Sequence, residues 1–247
     1  RIQFAMAFHP GGDLLACCRL DHTISLLRPD SGKVLASIPM ADKSPSVIAF
    51  DAQGRRLACG SRDGAVWLWD LDVPDSGEVG FPAQTQQVQL SGGAIWRVLF
   101  SPDARLLACV SAGQDAYVLD AATGQVRYSV ANPYGAYCLA FSRDGSRLVT
   151  AGVDHSVLLR DASTGDVLQA LRGHTSGLTS LSVSPGGTRL ASSSTDGTVR
   201  LWRLDTGEHL ATLEPDGPYC GMNITAVTGI TAAQRATLLA LGAVVNS

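Results

Sequence analysis

The sequence predicts an all-β fold of five similar four-stranded antiparallel sheets, followed by a short C-terminal helix. The first observation is a 14-residue pattern, of which LACGSRDGAVWLWD is one copy, that occurs five times without a gap. The copies begin at Leu15, Leu57, Leu107, Leu148 and Leu190, so successive copies are 42, 50, 41 and 42 residues apart. The second observation is the alternation of apolar residues within each copy. A period of roughly 40 to 45 residues with such alternation is typical of the blades of a β-propeller.

The fourth repeat shows how one blade is built. AYCLAFS, from Ala136, is the inner strand, and the turn at Arg143–Ser146 leads into the second strand, SRLVTAG. Turns at Val153–Ser156 and Ala162–Gly165 precede the third strand, SVLLRD, and the outer strand, DVLQALR. Asp and Gly in such turns supply local hydrogen bonds and positive φ. The other repeats keep this order, which predicts blades over residues 2–38, 45–90, 94–130, 136–172 and 177–213, with a tail at 214–247.

Composition limits the possible functions. A chain of 247 residues with 45% hydrophobic residues is sufficient for one large all-β domain. The net charge of −3 and the absence of a Lys/Arg cluster predict neither nucleic acid nor a membrane surface as a partner. No apolar run approaches the ~20 residues of a membrane span. The chain begins with Arg1, and we interpret it as a fragment of a longer protein.

The six cysteines are expected to be structural. Cys17, Cys59 and Cys109 occupy one slot of the repeat, and Thr150 and Ser192 occupy it in the other two copies. A slot shared by Cys, Ser and Thr requires a small side chain rather than a disulfide. There is no CxxC pair for zinc or redox chemistry. We therefore expect reduced, buried thiols in a cytoplasmic protein rather than disulfides.

The five copies resemble WD repeats over approximately residues 2–213. The fifth copy is most similar to the family pattern, with Gly173-His174, Ser192, Asp196 and Trp202. The resemblance implies that the last four side chains form a hydrogen-bonded tetrad inside the blade. In that tetrad the Asp accepts from the His, the His contacts the Ser hydroxyl, and the indole N–H donates to the same hydroxyl. Such a network satisfies buried polar groups and fixes the blade.

The other repeats depart from this pattern. Only the second copy ends in Trp-Asp, at Trp69-Asp70, and the third has Gly113 where the others have Asp. The Trp slot holds other residues in three copies, namely Leu27, Leu119 and Arg160. We therefore expect a complete tetrad in blade five alone and mainly apolar packing in the other blades.

Two segments do not follow the repeat. The step of 50 contains DVPDSGEVGFPAQTQQ, between Leu71 and Gln87, which predicts a tolerated surface loop in preference to a binding loop.

The tail contains one possible strand, MNITAVT, and a predicted helix at Ala232–Leu241. Thr231 and Gln234 have capping-box spacing, and Gly242 marks the helix end. The helix is largely apolar, and we expect it to cover part of the exposed apolar surface at the C-terminal end, on the fifth blade. The tail resembles the C-terminal tail of large bacterial WD-repeat proteins with an NTPase switch domain.

Residues for catalysis or for a cofactor are not evident. His22 and His155 share a turn slot with Gly64 and Gly197, which predicts exposed turn residues rather than metal ligands. HExxH, GxSxG and GxxxxGK[ST] do not occur, so zinc protease, serine hydrolase and P-loop chemistry lack their motifs. No catalytic, metal or cofactor site is predicted.

The sequence gives more support for a binding surface than for a catalytic site. The loops that enter the inner strands and the turns that carry the repeat Asp are expected at one rim of the propeller. Trp, Tyr and Arg, the residue types enriched at interaction hot spots, are frequent there. The candidate partner-binding residues are Arg19, Lys43, Arg62, Trp96, Arg97, Tyr134 and Tyr137. The alternative for Trp96 and Tyr137 is that they fill the mouth of the channel.

These features favour a non-enzymatic protein-interaction scaffold, the C-terminal sensing or docking propeller of a larger bacterial signalling or NTPase protein. One alternative is a metal-dependent propeller hydrolase or lactonase. The inner strands FAMAF, SVIAF, WRVLF, YCLAF and LTSLSV offer almost none of the ligands that this class requires. A second alternative is a structural spacer between domains.

Ring closure is not expected. The chain starts on an inner strand at Ile2, and the fifth repeat supplies its own outer strand, EHLATL, so no strand is left over to join the ends. We expect an open arc whose missing blades precede this chain. The isolated chain is then expected to be marginally stable or self-associating.

Overall fold

The structure is a computed structural model. It describes residues 2–19, 21–40, 43–71, 86–113, 115–131 and 136–214, and in the tail residues 223, 225, 227–228, 231–241 and 243–245. It contains five four-stranded antiparallel sheets with their strands in chain order, so the predicted fold class is confirmed.

The five sheets contain twenty strands. Blades one and two contain β1 (Ile2–Phe8), β2 (Leu15–Arg19), β3 (Thr23–Leu27), β4 (Val34–Pro39), β5 (Pro45–Phe50), β6 (Arg56–Ser61), β7 (Ala65–Asp70) and β8 (Gln86–Gln89). Blade three contains β9 (Ile95–Phe100), β10 (Leu106–Ser111), β11 (Asp115–Asp120) and β12 (Val126–Ala131). Blades four and five contain β13 (Ala136–Phe141), β14 (Arg147–Gly152), β15 (Val157–Asp161), β16 (Val167–Leu171), β17 (Leu178–Val183), β18 (Arg189–Ser194), β19 (Val199–Arg203) and β20 (His209–Leu213).

The buried core is divided into four clusters, one at each junction between successive blades. At the first junction Ala16 and Leu26 of blade one pack with Ile48, Leu57 and Trp69 of blade two. Paired residues on adjacent strands lie on the same side of a sheet. Each blade therefore has an N-side face, directed at the preceding blade, and a C-side face, directed at the following blade. Complete burial of one leucine at such a junction contributes about 1.5–3 kcal/mol.

The five blades form an open arc, as the sequence predicts. Their inner strands contact one another in chain order, β1 with β5, β5 with β9, β9 with β13, and β13 with β17. No comparable contact joins strands of the first and fifth sheets in the described part of the chain. The described strands of this chain therefore place no other sheet against the N-side face of blade one or the C-side face of blade five.

The tail helix, α1 (Ala232–Ala240), ends one residue before the predicted end. Its capping box is present, because Thr231 Oγ1 accepts from the Gln234 N–H at 3.2 Å and Gln234 Oε1 accepts from the Thr231 N–H at 2.8 Å. The expectation that this helix covers the fifth blade is wrong, since none of its residues is buried. Most of its apolar side chains are alanines, so docking would bury little apolar area.

Some predictions fall on residues that the structure does not describe. They include the loop at 72–85, Gly242 and residues 222, 224 and 226 of the possible strand at 222–228. Within that last segment Asn223 forms an isolated parallel bridge with Val244. The division of the chain into a propeller at 1–213 and a tail at 214–247 stays a prediction.

Candidate partner-binding rim

One end of the propeller carries the turns between second and third strands and the loops that lead into the inner strands. We call this end the rim. Trp96 of β9 lies there with 51% of its surface exposed, and Arg62, in the turn between β6 and β7, is also exposed. Together with Ser46, Ala94 and Ile95, they line a depression of about 550 Å³. The rim therefore combines an indole surface, a guanidinium group and a concave surface between blades two and three.

The floor of this depression is held by contacts between the two blades. Ser46 Oγ donates to the carbonyl oxygen of Gly60 at 3.1 Å and is 2.8 Å from that of Ile95. Gly60 leaves no space for a side chain, because a Cβ there would lie 2.4 Å from Ile95 Cγ2. A glycine in a strand allows this close approach. The repeat pattern does not reveal Ser46, and its signal in the sequence is only a polar residue near the start of an inner strand.

Two of the predicted cationic rim residues are engaged in ion pairs. Lys43 Nζ pairs with the Asp63 carboxylate, and Arg19 Nε lies 3.4 Å from Asp21 Oδ2. Burial opposes ionisation of Asp63, but hydrogen bonds from Lys43 and Ser61 lower its pKa overall. Exposed pairs of this kind contribute about 0–1 kcal/mol to stability. Because their charges are already compensated, Lys43 and Arg19 are weaker candidates for binding an anionic partner group.

The structure describes the other three predicted rim residues to different extents. Arg97 is half-buried. Burial of the Cys138 thiol, on the neighbouring inner strand, raises its pKa, and the positive charge of Arg97 partly opposes this increase. Arg97 is therefore directed at blade four as much as at the rim. Tyr134 lies outside the described residues. Tyr137 is part of β13, but its side chain is outside the description, so the roles of both tyrosines stay predictions.

The tetrad side chains of blade five lie in one hydrogen-bonded chain. Asp196 Oδ2 is 2.8 Å from His174 Nδ1, and His174 Nε2 is 2.9 Å from Ser192 Oγ. The indole Nε1 of Trp202 donates to the same Ser192 oxygen at 2.8 Å. Since Ser192 Oγ accepts from the indole, its own proton can be donated to His174 Nε2. That arrangement assigns the imidazole proton to Nδ1, which donates to Asp196.

Asp196 also anchors the backbone around it. Its carboxylate accepts from the Thr175 N–H at 3.0 Å, from the Thr198 N–H at 2.9 Å and from Thr198 Oγ1 at 2.7 Å. Burial alone would raise the pKa of Asp196, but these donors and His174 hold it well below its ordinary value. The ionised carboxylate therefore joins the loop before β17 to the turn between β18 and β19.

The Trp slot has a different chemistry in blade four. Arg160 occupies it and is buried, with Nε donating to Thr150 Oγ1 at 3.2 Å and Nη1 donating to the Gly165 carbonyl at 3.0 Å. Thr150 stands in the slot of Ser192, so a guanidinium replaces the indole as donor to the same hydroxyl position. The expectation of mainly apolar packing outside blade five is therefore incomplete. A comparison of equivalent positions in the repeats could have predicted this contact, because Arg160 and Thr150 are both polar and occupy facing positions.

The turn histidines are explained by backbone geometry. His22 and His155 have φ values of 60° and 61°, and Gly64 and Gly197 in the same slot have 88° and 85°. His155 is exposed, but His22 is half-buried and its Nδ1 lies 3.0 Å from the Lys43 carbonyl oxygen, which corrects the expectation of an exposed turn for His22.

Across the described residues, no group of three or more His, Cys, Asp or Glu side chains could hold a metal ion. The five described cysteines are buried and not in disulfides.

The opposite end of the propeller has a different character. A depression of about 490 Å³ lies there between blades two and three. Two of its arginines are paired within the chain, Arg56 Nε with Asp70 at 2.9 Å and Arg127 Nη2 with Asp120 at 2.6 Å. Helices in the described part of the chain do not reach the length and apolar character of a membrane span.

Comparison with known proteins agrees with the observed architecture. The family model "WD domain, G-beta repeat" matches residues 4–26, 32–70, 126–161 and 165–203, which is more than half of the chain. A WD repeat-containing protein of Schistosoma mansoni is 31% identical over 65% of this chain and 50% of its own length. Mouse telomerase protein component 1 is 29% identical over 84% of this chain and 8% of its own length. A WD repeat-containing protein of Synechocystis is 34% identical over 55% of this chain and 40% of its own length. The chain thus spans half or less of these relatives, and it belongs to the WD-repeat family.

Proposed function

We propose that this chain is a non-catalytic protein-interaction scaffold whose partner binds the rim at the depression between blades two and three. The observation that supports this proposal is the half-exposed indole of Trp96 beside the exposed guanidinium of Arg62 in a concave surface. Trp and Arg are the residues most enriched among binding hot spots, and hot spots are typically found in such depressions. The predicted set of Arg19, Lys43, Arg62, Trp96, Arg97, Tyr134 and Tyr137 is the proposed partner surface.

The geometry favours the rim over the opposite end. At the opposite end Arg56 and Arg127 are held by carboxylates of their own chain, so a partner would have to displace those carboxylates. At the rim the indole of Trp96 has half of its surface exposed, so it gains apolar burial when a partner binds. A partner segment with an apolar side chain and a neighbouring acidic group would fit this chemistry.

WD-repeat proteins typically act as non-catalytic scaffolds, and one relative is named as a component of telomerase. This supports a role within a larger assembly. A propeller hydrolase would need several metal ligands that converge on one point. The described residues contain no group of three or more His, Cys, Asp or Glu side chains that could hold a metal ion. We assign no enzymatic activity and no cofactor.

We further propose that the chain is the C-terminal docking propeller of a larger bacterial signalling or NTPase protein in the cytoplasm, with further domains of the same polypeptide before it. Support comes from the bacterial relative in Synechocystis and from the greater length of the relatives that the chain matches. The buried thiols outside disulfides agree with a reducing compartment. Sequencing of the complete reading frame tests this proposal directly, and a frame without an NTPase or signalling domain would contradict it.

The test of the rim uses affinity capture with matched variants. The wild-type chain, Trp96→Ala and Leu168→Ala are immobilised and exposed to a lysate of the source organism. Leu168 is similarly exposed but lies on the outer strand β16, away from the rim. Proteins retained by the wild type and by Leu168→Ala, but lost with Trp96→Ala, are identified by mass spectrometry.

The affinity is then measured with each purified candidate. Loss of Trp96 is expected to weaken binding by roughly 2 kcal/mol or more, about 30-fold in Kd. Arg62→Ala should weaken the same partner, whereas Leu168→Ala should not. A partner whose affinity survives the combined loss of Trp96 and Arg62 would place the interface on another face.

A further inference from the structure

A second depression at the end opposite the rim lies between blades four and five and has a volume of about 540 Å³. Two arginines of blade four, Arg143 and Arg147, line it together with turns of blade five. Gly187 allows one of these turns to lie close, because a Cβ there would be 2.8 Å from Arg143 Cβ. The repeat does not require a cation at the Arg143 position, since the other blades have Pro10, Ala52, Pro102 and Pro185 there.

Both guanidinium groups are fixed by backbone carbonyls of blade five. Arg143 Nη1 donates to the Pro185 carbonyl oxygen at 2.7 Å, and Arg147 Nη1 donates to the Leu204 carbonyl oxygen at 2.6 Å. The Leu204 N–H donates to the Thr188 carbonyl oxygen at 3.0 Å, so the two acceptors belong to adjacent turns. A guanidinium has five N–H donors, and most of them are not used by these bonds. The two cations are therefore held in place before a ligand arrives, which lowers the entropic cost of binding.

No ion pair joins either arginine to a carboxylate among the residues that the structure describes. Blade two shows the alternative, because Arg56 occupies the position of Arg147 and its Nε pairs with Asp70 at 2.9 Å. Blade four has Asp161 at the position of Asp70. The Asp161 carboxylate instead accepts from the N–H and the hydroxyl of Ser163, at 2.8 and 2.5 Å, within its own turn. Arg147 thus keeps donors that Arg56 uses for a carboxylate of its own chain.

The charge of the depression favours a ligand with a single negative charge. Asp144 and Asp205 also line it, and their formal charges cancel those of the two arginines. Both carboxylates accept hydrogen bonds within their own turns, Asp144 from the Ser146 N–H at 3.1 Å and Asp205 from the Thr206 N–H at 2.8 Å. A phosphate group, with a charge of about −1.5 to −2, is repelled by these aspartates more strongly than a carboxylate is. A planar carboxylate also matches the fork of a guanidinium, which can donate two parallel N–H bonds to it.

We propose that this depression binds a side-chain carboxylate of an acidic peptide segment, with Arg143 and Arg147 as the hydrogen-bond donors. The ligand enters from solvent, and the carbonyl bonds that fix the two guanidinium groups remain in place. The site does not include Trp96 or Arg62. It is therefore independent of the rim, and its failure would leave the proposed function of the rim unchanged.

The test is a titration of the complete, nitrogen-15-labelled chain, followed through the NMR signals of the arginine Nε–H groups. The probe is a tripeptide with a central glutamate and both ends blocked, and the control peptide has glutamine in its place. Inorganic phosphate is titrated separately, and sodium chloride keeps the ionic strength constant throughout. The signals are assigned from triple-resonance spectra, so the wild type tests the proposal without any variant. Arg143→Gln removes one donor, and Arg56→Gln in blade two is the matched control.

The glutamate tripeptide should shift the Arg143 and Arg147 signals saturably, and the glutamine tripeptide should not. Arg143→Gln should weaken binding about 10-fold or more through loss of charge-assisted hydrogen bonds, whereas Arg56→Gln should leave Kd unchanged. The proposal would be overturned by the absence of saturable shifts at Arg143 and Arg147, or by equal shifts at the paired Arg56. Equal shifts with the glutamine tripeptide, or tighter binding of inorganic phosphate than of the glutamate tripeptide, would also overturn it.

Discussion

Replacement of Trp202 by Phe tests whether the tetrad stabilises the fifth blade. Trp202 is 2% exposed, and its Nε1 donates at 2.8 Å to the hydroxyl of Ser192, which is also buried. Phe keeps an aromatic ring in the slot but leaves Ser192 Oγ without that donor. A buried polar group that loses its partner costs about 1–3 kcal/mol, and the lost ring atoms add a packing penalty.

Trp69→Phe in blade two separates these two costs. Trp69 occupies the same slot and is also 2% exposed, so the substitution removes the same ring atoms. Cys59 stands there in the slot of Ser192, and the hydrogen bonds between described residues do not include the Trp69 indole. The difference between the two variants therefore measures the hydrogen bond, and Trp202→Phe should destabilise the chain by about 1–3 kcal/mol more than Trp69→Phe.

The assay is urea unfolding followed by circular dichroism, with equal m-values as the condition for comparing free energies. Ser192→Ala combined with Trp202→Phe should cost less than the sum of the single variants, since either change removes the same bond. Equal losses for Trp202→Phe and Trp69→Phe, together with strict additivity at Ser192, would refute the stabilising role of the tetrad.

Three further predictions concern turns and the tail. Hydrogen bonds from Ser142 and Ser146 lower the pKa of Asp144 to about 2 from 3.8, so its contribution to stability is complete at neutral pH and is lost as the pH falls from about 4 towards 2. Asp144→Asn should flatten the decline of the unfolding free energy in that window, as measured by urea titrations at several pH values. His155→Gly should raise the unfolding free energy by up to about 1 kcal/mol, because His155 has a φ of 61°. Gly64→His should lower it, since a Cβ there would lie 3.0 Å from the Gly93 carbonyl oxygen. Thr231→Ala should reduce the helical circular dichroism signal through loss of a cap worth about 1 kcal/mol, with an unchanged unfolding midpoint for the sheets.

The sequence determines the blades well because the repeat contains its own turns. Asp and Gly recur at fixed offsets, and Asp144 shows the reason, since its carboxylate accepts from the Ser146 N–H and from two hydroxyls within the turn. Local chemistry of this kind needs no knowledge of the rest of the fold. The geometry of the tetrad is equally local to one repeat, so a family resemblance over 30 residues is sufficient to anticipate it.

Contacts between blades are less accessible from the sequence. The repeat pattern does not show that Ser46 joins the carbonyls of Gly60 and Ile95, because the partners come from two blades. It does not show that Arg160 donates to Thr150 in the place of an indole. The apolar composition of the tail helix predicts that it docks, but docking also depends on the area that alanines can bury, which composition alone does not show.

The first and fifth blades differ in how their sheets are held together from within. In blade five His174, Asp196 and Trp202 join the entering loop, the turn and β19 through Ser192, so the sheet is held from within. Blade one has Leu27 in the Trp slot and Cys17 in the Ser slot, neither of which can form this network. Blade one therefore depends on apolar packing against blade two for its stability.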